Sequence, residues 1–316
     1  MIMNEQEIKI FKRFNSLLIE HPQFDTAVTK IINAYKFKSE AERQVNLICV
    51  GMSGTGKSTL KKHVVKKYPS FASKDRKIIP VLEVNTPALP TVKNVAEAML
   101  LQLGDPLFHR GSTSEKTNRI LHYIRECEVK LIIFDELQHF VDQGNKSAPR
   151  QVSDWLKTVI DDSAVSTVFM GLEQSEHILK INEQLRRRFT HRVDLKPFSI
   201  CCSESFKDFT SVLKTLHRAV EMPLVGRINS DHFRRWHFAT NSVIAHMITL
   251  TLSAFQVSQR EGYASINQRC LEQAFVESIW AQGSGKLNPF NNKFEFNRLT
   301  KPGMPFHTAG TKELTE

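Results

Sequence analysis

Apolar residues recur at two different spacings along the chain, and the change from one to the other divides it. Over residues 1–44 the spacing is helical: Ile8, Phe11, Leu17 and Leu18, then, after the break at Pro22, Phe24, Val28, Ile31, Ile32 and Tyr35, which predicts two helices. Residues 45–50, Val-Asn-Leu-Ile-Cys-Val, form instead a nearly unbroken apolar run rich in β-branched side chains, as expected of a strand buried on both faces of a parallel sheet. Similar runs at Ile78–Val84, Leu131–Phe134 and Val165–Met170 are separated by segments of helical spacing, among them Val92–Leu103 and Val152–Ile160. Strand and helix alternate, which predicts an α/β domain with a parallel sheet. After Pro197 only helical periodicity remains, in Phe206–Ala219, His232–Phe238, Ser242–Gln259 and Ile266–Ala281. From Gly283 the chain is rich in Gly, Pro and Asn, with Phe290, Phe294, Phe296 and Phe306 spaced through polar sequence, and reads as an extended tail that docks on a partner or on its own domain. The expected organisation is an N-terminal helical segment 1–44, an α/β core 45–197, an all-helical domain 198–282 and a tail 283–316.

Composition narrows the class without naming a function. With 316 residues, 41% hydrophobic and 24% charged, the chain excludes collagen-like, low-complexity and multi-span membrane proteins. No apolar run approaches the length of a membrane span. The start, MIMNEQEIKIFKRF, has no apolar stretch with a cleavage site, so no secretory signal is expected. Cys49, Cys127, Cys201, Cys202 and Cys270 show neither a CxxC pair nor a zinc frame and read as buried or idle thiols, which places the expected location in the cytoplasm. Lys and Arg outnumber Asp and Glu by 43 to 33, a net charge of +10 that favours polyanionic partners.

The chemistry is carried by the turn after the first strand run. Gly51-Met52-Ser53-Gly54-Thr55-Gly56-Lys57-Ser58 satisfies G-x-x-x-x-G-K-[ST] between a predicted strand and a predicted helix. Glycine is needed where backbone N–H groups must turn inward around phosphates. Lys57 supplies a point charge to the β- and γ-phosphates, Ser58 an oxygen ligand for Mg2+, and the helix N-terminus a positive dipole end. The expected nucleotide set is Gly51, Ser53, Gly54, Thr55, Gly56, Lys57, Ser58 and Thr59, with ATP and Mg2+ as cofactors. The run Leu131-Ile132-Ile133-Phe134 ends in Asp135-Glu136: Asp135 is expected to hold the hydration shell of Mg2+ with Ser58, and Glu136 to orient and polarise the attacking water. Two acids after a strand can also cap a helix.

These pieces, with His21-Pro22, GMSGTGKST, LIIFDELQHF, VFMGLEQS and EQLRRRF, resemble the AAA+ ATPases and, within them, the TniB/TnsC family of ATP-dependent transposition regulators, over roughly residues 15–280. The tail segment Asn288-Pro289-Phe290 is part of the same pattern. The resemblance implies an AAA+ P-loop core followed by a helical lid. It places an arginine finger at Arg188, which would reach the γ-phosphate of a neighbouring protomer, so catalysis is expected from Lys57, Glu136 and Arg188; Arg186 to Arg188 also read as a solvated basic turn. Sensor 1 departs from the family pattern, since Gly171-Leu172 stands where Gly-Thr is usual, with Glu173 or Ser175 as substitutes. In place of the Gly-rich sensor 2 sequence of many relatives the lid has Thr240-Asn241-Ser242 and His246.

Two DNA-facing candidates follow. Lys61, Lys62, Lys66 and Lys67 repeat at helical spacing and form either a backbone-contacting stripe or a solvated face. The resemblance to TnsC-like proteins points instead to Thr91 and Lys93, beside Val92 after Pro90, and to Thr113 and Lys116, as sequence-independent phosphate contacts to double-stranded DNA. It implies a homo-oligomeric ring or filament with a transposase and a target-selection protein as partners, and hydrolysis as the disassembly step. A replication initiator or helicase loader of the same superfamily, and a nucleotide-gated scaffold with negligible turnover, remain as alternatives.

Overall fold

A computed structural model describes residues 4–140, 147–225 and 229–307; positions 308–316 of the expected tail lie outside the described residues. The chain groups into two compact units, Pro22–Leu195 and, from both chain ends, Met1–His21 with Lys196–Glu316. The expected N-terminal segment is therefore split at His21-Pro22. Helix α1 (Glu5–Ser16), opened by a capping box in which Asn4 and Glu7 exchange bonds of 2.8 Å, buries Ile10 and Phe14 in the second unit. Helix α2 (Pro22–Ala41) belongs to the first.

In the α/β unit the order after α2 is β1 (Leu47–Gly51), α3 (Lys57–Lys67), a small antiparallel pair β2 (Phe71–Ala72) and β3 (Lys77–Ile78), β4 (Val81–Asn85), α4 (Val92–Leu103), α5 (Thr113–Glu126), β5 (Leu131–Asp135), α6 (Ser147–Ser163), β6 (Ser166–Gly171), α7 (His177–Ile181), α8 (Glu183–Arg186) and β7 (His191–Leu195). The main sheet is parallel throughout, in the order β4-β5-β6-β1-β7. β1, β5 and β6 are buried along their whole length, which is why their sequences are unbroken apolar runs. Strand order reverses on either side of β1, so the carboxyl end of β1 opens onto the crevice where such sheets bind ligands. α2 lies on the sheet, with Ser166 Oγ donating to Ala34 O at 2.9 Å and Lys30 Nζ to Arg192 O at 2.8 Å. β7 and the full length of α5 had no counterpart in the sequence pattern.

Glu97 in the middle of α4 and Lys116 in the first turn of α5 are 3.0 Å apart, and near the helix ends Leu103 O and Cys127 Sγ are 4.0 Å apart. The two helices thus run in the same direction, and their N-termini share the side of the sheet that carries its strand carboxyl ends.

The second unit contains α1, α9 (Ser203–Ala219), α10 (Ser230–Thr240), α11 (Ile244–Arg260) and α12 (Gln268–Ser278). α10 and α11 meet at 108° through Asn241 and Ser242, both left-handed with φ of 48° and 51°, which is the physical reason glycine suits this turn. The tail is packed rather than extended: Phe290, Phe294, Leu299 and Phe306 join the core of this unit, and Phe290 meets Trp236 edge to face at 5.7 Å. Arg235 NH1 fixes the tail by donating to Pro289 O (2.7 Å) and Asn291 O (2.9 Å). Among the described residues no single helix is long and apolar enough to cross a membrane. Cys49, Cys127 and Cys270 are buried, whereas Cys201 and Cys202 are exposed.

Three imidazoles are folded into this unit in neutral form. His217 and His232 lie 5.5 Å apart, and neither nitrogen of His217 has a hydrogen-bond partner. Burial, aided by His232, pushes His217 down to about 3. Burial lowers His232 and His237 each to about 4. The unfolded chain takes up these protons near pH 6.5 and the folded unit does not, so stability falls on acidification from about pH 6.5 towards 4, by up to about 1.4 kcal/mol per pH unit for each imidazole. Urea unfolding followed through Trp236 should show this slope, and His217→Phe should make it shallower.

Candidate functional site

The site is built where β1 turns into α3. Gly51 ends β1 opposite Leu195, and a Cβ there would overlap the Leu195 carbonyl oxygen and crowd Thr55 Oγ1. Gly54 and Gly56 have φ of 78° and 101°, left-handed values that turn the loop and start the helix. Thr55 is buried and closes the loop by donating from Oγ1 to Met52 O at 2.9 Å. Lys57, at the first position of α3, lies across the loop with Nζ donating to Gly51 O (2.7 Å) and Met52 O (2.8 Å). Burial lowers its pKa, against the raising influence of the carboxylates of Glu136 and Asp135. Cys49 below it is pushed by burial up to about 12 and is a neutral packing group. Ser53, Ser58 and Thr59 are exposed along the loop and the first turn of α3.

Asp135 ends β5, buried at 4% exposure, with each carboxylate oxygen engaged. Oδ1 accepts from Glu136 N at 2.8 Å, and Oδ2 pairs with Lys61 Nζ at 2.8 Å. Lys61 also meets Glu83 Oε1 at 2.6 Å and Asn85 Oδ1 at 3.0 Å. Burial alone would lower this ammonium; the bonds and charges of Asp135 and Glu83 outweigh it and raise its pKa. Lys61 is therefore no member of a basic stripe. Lys62, Lys66 and Lys67 are exposed, while Lys61 shares the inner face of α3 with Leu60 and Val64. Its flanking by two buried apolar positions was the signal in the sequence that could have found it. Asn85 becomes legible only through the pairing of β4 with β5, which sets it opposite Asp135.

Glu136 is exposed and holds φ at 57°, a left-handed value for a residue with a side chain. Buried Gln138, in the 3-10 turn Leu137–Phe140, donates from Nε2 to Glu136 Oε2 and accepts at Oε1 from Leu172 N at 3.2 Å. No sequence pattern pointed to Gln138. At the expected sensor 1 position Leu172 thus contributes its backbone N–H. Ser175 Oγ is fully buried without a partner, and Glu173 lies in the following 3-10 turn.

Arg188 follows α8 and is held by Asp161: Nε donates to Oδ1 and NH2 to Oδ2 at 2.6 Å, while NH1 donates to Gln184 O at 2.8 Å. Arg187 pairs instead with Glu183 at 2.8 Å.

Of the proposed DNA contacts, Lys116 is corrected by the structure. It is fully buried, its ammonium donating to Phe108 O (3.0 Å) and Arg110 O (3.2 Å) and paired with Glu97, so it fastens the α4–α5 connection and cannot reach a phosphate. Lys93 and Thr113 are exposed in the first turns of α4 and α5. Thr91 caps α4 by accepting from Asn94 N at 3.1 Å.

A hydroxyl at Ser58 and a carboxylate at Asp135 are hard oxygen donors suited to a hydrated Mg2+, and the turned glycine loop with Lys57 suits a polyphosphate. Replacing Lys61 by methionine would leave Asp135 and Glu83 side by side without their cation. Lys61→Met is expected to cost about 3 kcal/mol of stability, measurable by urea denaturation.

A model of the family described as bacterial TniB protein matches residues 9–199. An ORC1-type DNA replication protein of Desulfurococcus amylolyticus is 25% identical over 124 residues, 38% of this chain and 31% of that relative, so the match spans about a third of the relative's length. Among solved structures, the Aeropyrum pernix ORC2 protein in its ADPNP-ADP complexes superposes with a TM-score of 0.58 at 16% identity, covering 85% of this chain and 72% of that one. The Aeropyrum pernix ORC1 protein in complex with DNA superposes with a TM-score of 0.60 at 12% identity, covering 87% and 71%. At these identities the likeness establishes the AAA+ fold alone, a parallel sheet with flanking helices and a helical C-terminal region. The family match covers more than half of the chain, and the chain belongs to the bacterial TniB family.

Proposed function

We propose that this protein is an ATP-dependent regulator of DNA transposition that assembles on duplex DNA with ATP and releases it on hydrolysis. The observation that carries the reading is that the glycine-turned loop with Lys57 stands within reach of the charges of Asp135 and Glu136, with Lys61 of the helix that follows it paired to Asp135 at 2.8 Å. Gly51, Ser53, Gly54, Thr55, Gly56 and Thr59 shape the loop whose N–H groups receive the phosphates. Lys57 would leave the carbonyls of Gly51 and Met52 for the β- and γ-phosphates, an exchange that its burial favours because the phosphates supply full negative charge. Ser58, with Asp135 acting through water, would hold Mg2+, which supplies neutralisation of phosphate charge when bound. Glu136 orients the attacking water and accepts its proton at the carboxylate. Arg188 would act in trans on the γ-phosphate after giving up Asp161, which requires a homo-oligomer.

The DNA-bound state of one neighbour and the net charge of +10 support a duplex partner. Lys93, Thr91 and Thr113 are the phosphate contacts we retain, because the starts of α4 and α5 lie on one side of the sheet and offer hydroxyls, helix N-termini and a lysine that carry no base code. Partners of the assembled form would be a transposase and a target-selection protein.

Two measurements test this. Glu136→Gln should keep nucleotide binding, followed by fluorescence of a labelled ATP, and lose phosphate release; undiminished turnover would place the base elsewhere. Electron microscopy with duplex DNA should show rings or filaments with ATP or a non-hydrolysable analogue and none with ADP, and Lys93→Glu should abolish them while nucleotide affinity stays unchanged. A protein that remains monomeric on DNA with every nucleotide at low salt overturns the assembly model.

A further inference from the structure

The proposed ATPase site uses Glu136 as its base but leaves a buried amide beside it without a role. Gln138 is 8% exposed and has two partners of opposite kind: its Nε2 donates to the Glu136 carboxylate and its Oε1 accepts from Leu172 N at 3.2 Å. A backbone N–H can only donate and a carboxylate can only accept, so these partners fix the orientation of the amide. The Cβ that Gly171 lacks would crowd Gln138 Oε1 and overlap Ser175 Oγ, so the end of β6 is shaped to admit this side chain. Glu136, by contrast, is exposed, and its backbone sits at φ 57°. An exposed carboxylate at the end of a long, freely rotating side chain samples several rotamers unless something restrains it.

We infer that Gln138 is a positioning residue for the proposed hydrolysis, an amide bracket that holds the Glu136 carboxylate against the end of β6 in the orientation from which it meets the attacking water. The bracket takes over part of the task that a polar side chain at position 172 would perform, since here Leu172 offers only its N–H. In this role Gln138 acts through Glu136. This inference rests on the reading of Glu136 as the base, and the following comparison separates the two.

Steady-state ATPase kinetics and labelled-nucleotide affinity are measured for the unmodified protein, Glu136→Gln, Gln138→Met and Gln138→Glu, with folding checked by thermal unfolding. Methionine preserves length and removes both bonds. Glutamate preserves the acceptor for Leu172 N and replaces the donor to Glu136 by a repelling carboxylate, so it keeps a purely structural role and loses the positioning one. The expected result is a fall in kcat on the order of tenfold to a hundredfold in both Gln138 variants, with nucleotide affinity within about twofold of the unmodified protein. If Gln138→Met does not fold, Gln138→Glu alone decides. Full or increased turnover in a folded Gln138 variant, or recovery by glutamate of what methionine loses, overturns the inference and leaves the site intact. Absence of turnover in the unmodified protein overturns both.

Discussion

A carboxylate buried at the end of a central strand needs a matched positive charge, and the α/β unit is organised around that need at Asp135. Its partner, Lys61, comes from the helix that follows the phosphate loop and also engages Glu83 and Asn85 from the neighbouring strand. One ammonium therefore ties α3, β4 and β5 together. The loop, the acid pair and the strand ends cannot shift independently without separating charges in a poorly solvated place, where loss of one partner is far costlier than a surface ion pair.

This fastening explains how the site combines fixed and adjustable parts. Asp135 has both oxygens committed and a buried side chain, so it serves as the fixed point. Lys57 is held by two carbonyl oxygens, neutral acceptors that a polyphosphate would readily outcompete. Glu136 is the exposed group, restrained through its left-handed backbone and through Gln138. Burial and committed ionic partners thus decrease outward from Asp135 at the sheet to Glu136 at the solvent edge.

The parts of this arrangement legible in the sequence were those whose signal is local. Unbroken apolar runs gave β1, β5 and β6, since strands covered on both faces need no polar alternation, and the phosphate-loop spacing identified Gly51 to Ser58. What escaped depends on pairing across distance. His191-Arg192-Val193-Asp194-Leu195 alternates weakly at a sheet edge, so β7 had no strong pattern. Lys116 and Lys61 read as surface cations because a lysine's type says nothing about three acceptors brought to it from other elements. The tail read as extended because phenylalanines spaced through polar sequence look alike whether they await a partner or pack, as Phe290, Phe294 and Phe306 do, into the core of their own unit.

Arg188, as the proposed finger, would carry the remaining step. Its guanidinium already makes the bidentate, charge-assisted contact with Asp161 that an arginine finger would make with a γ-phosphate. In the assembly proposed above, reaching a neighbour would exchange one anion for another rather than recruit a free side chain. The Arg188–Asp161 pair is only about one-third exposed on either side, so the exchange is not between fully hydrated ions. One charge-assisted pair would replace another, and the greater negative charge of the triphosphate would tip the balance. In the proposed assembly, such a finger would favour the intersubunit contact while the γ-phosphate is present and return to Asp161 once it has gone, which would couple assembly to the state of the nucleotide.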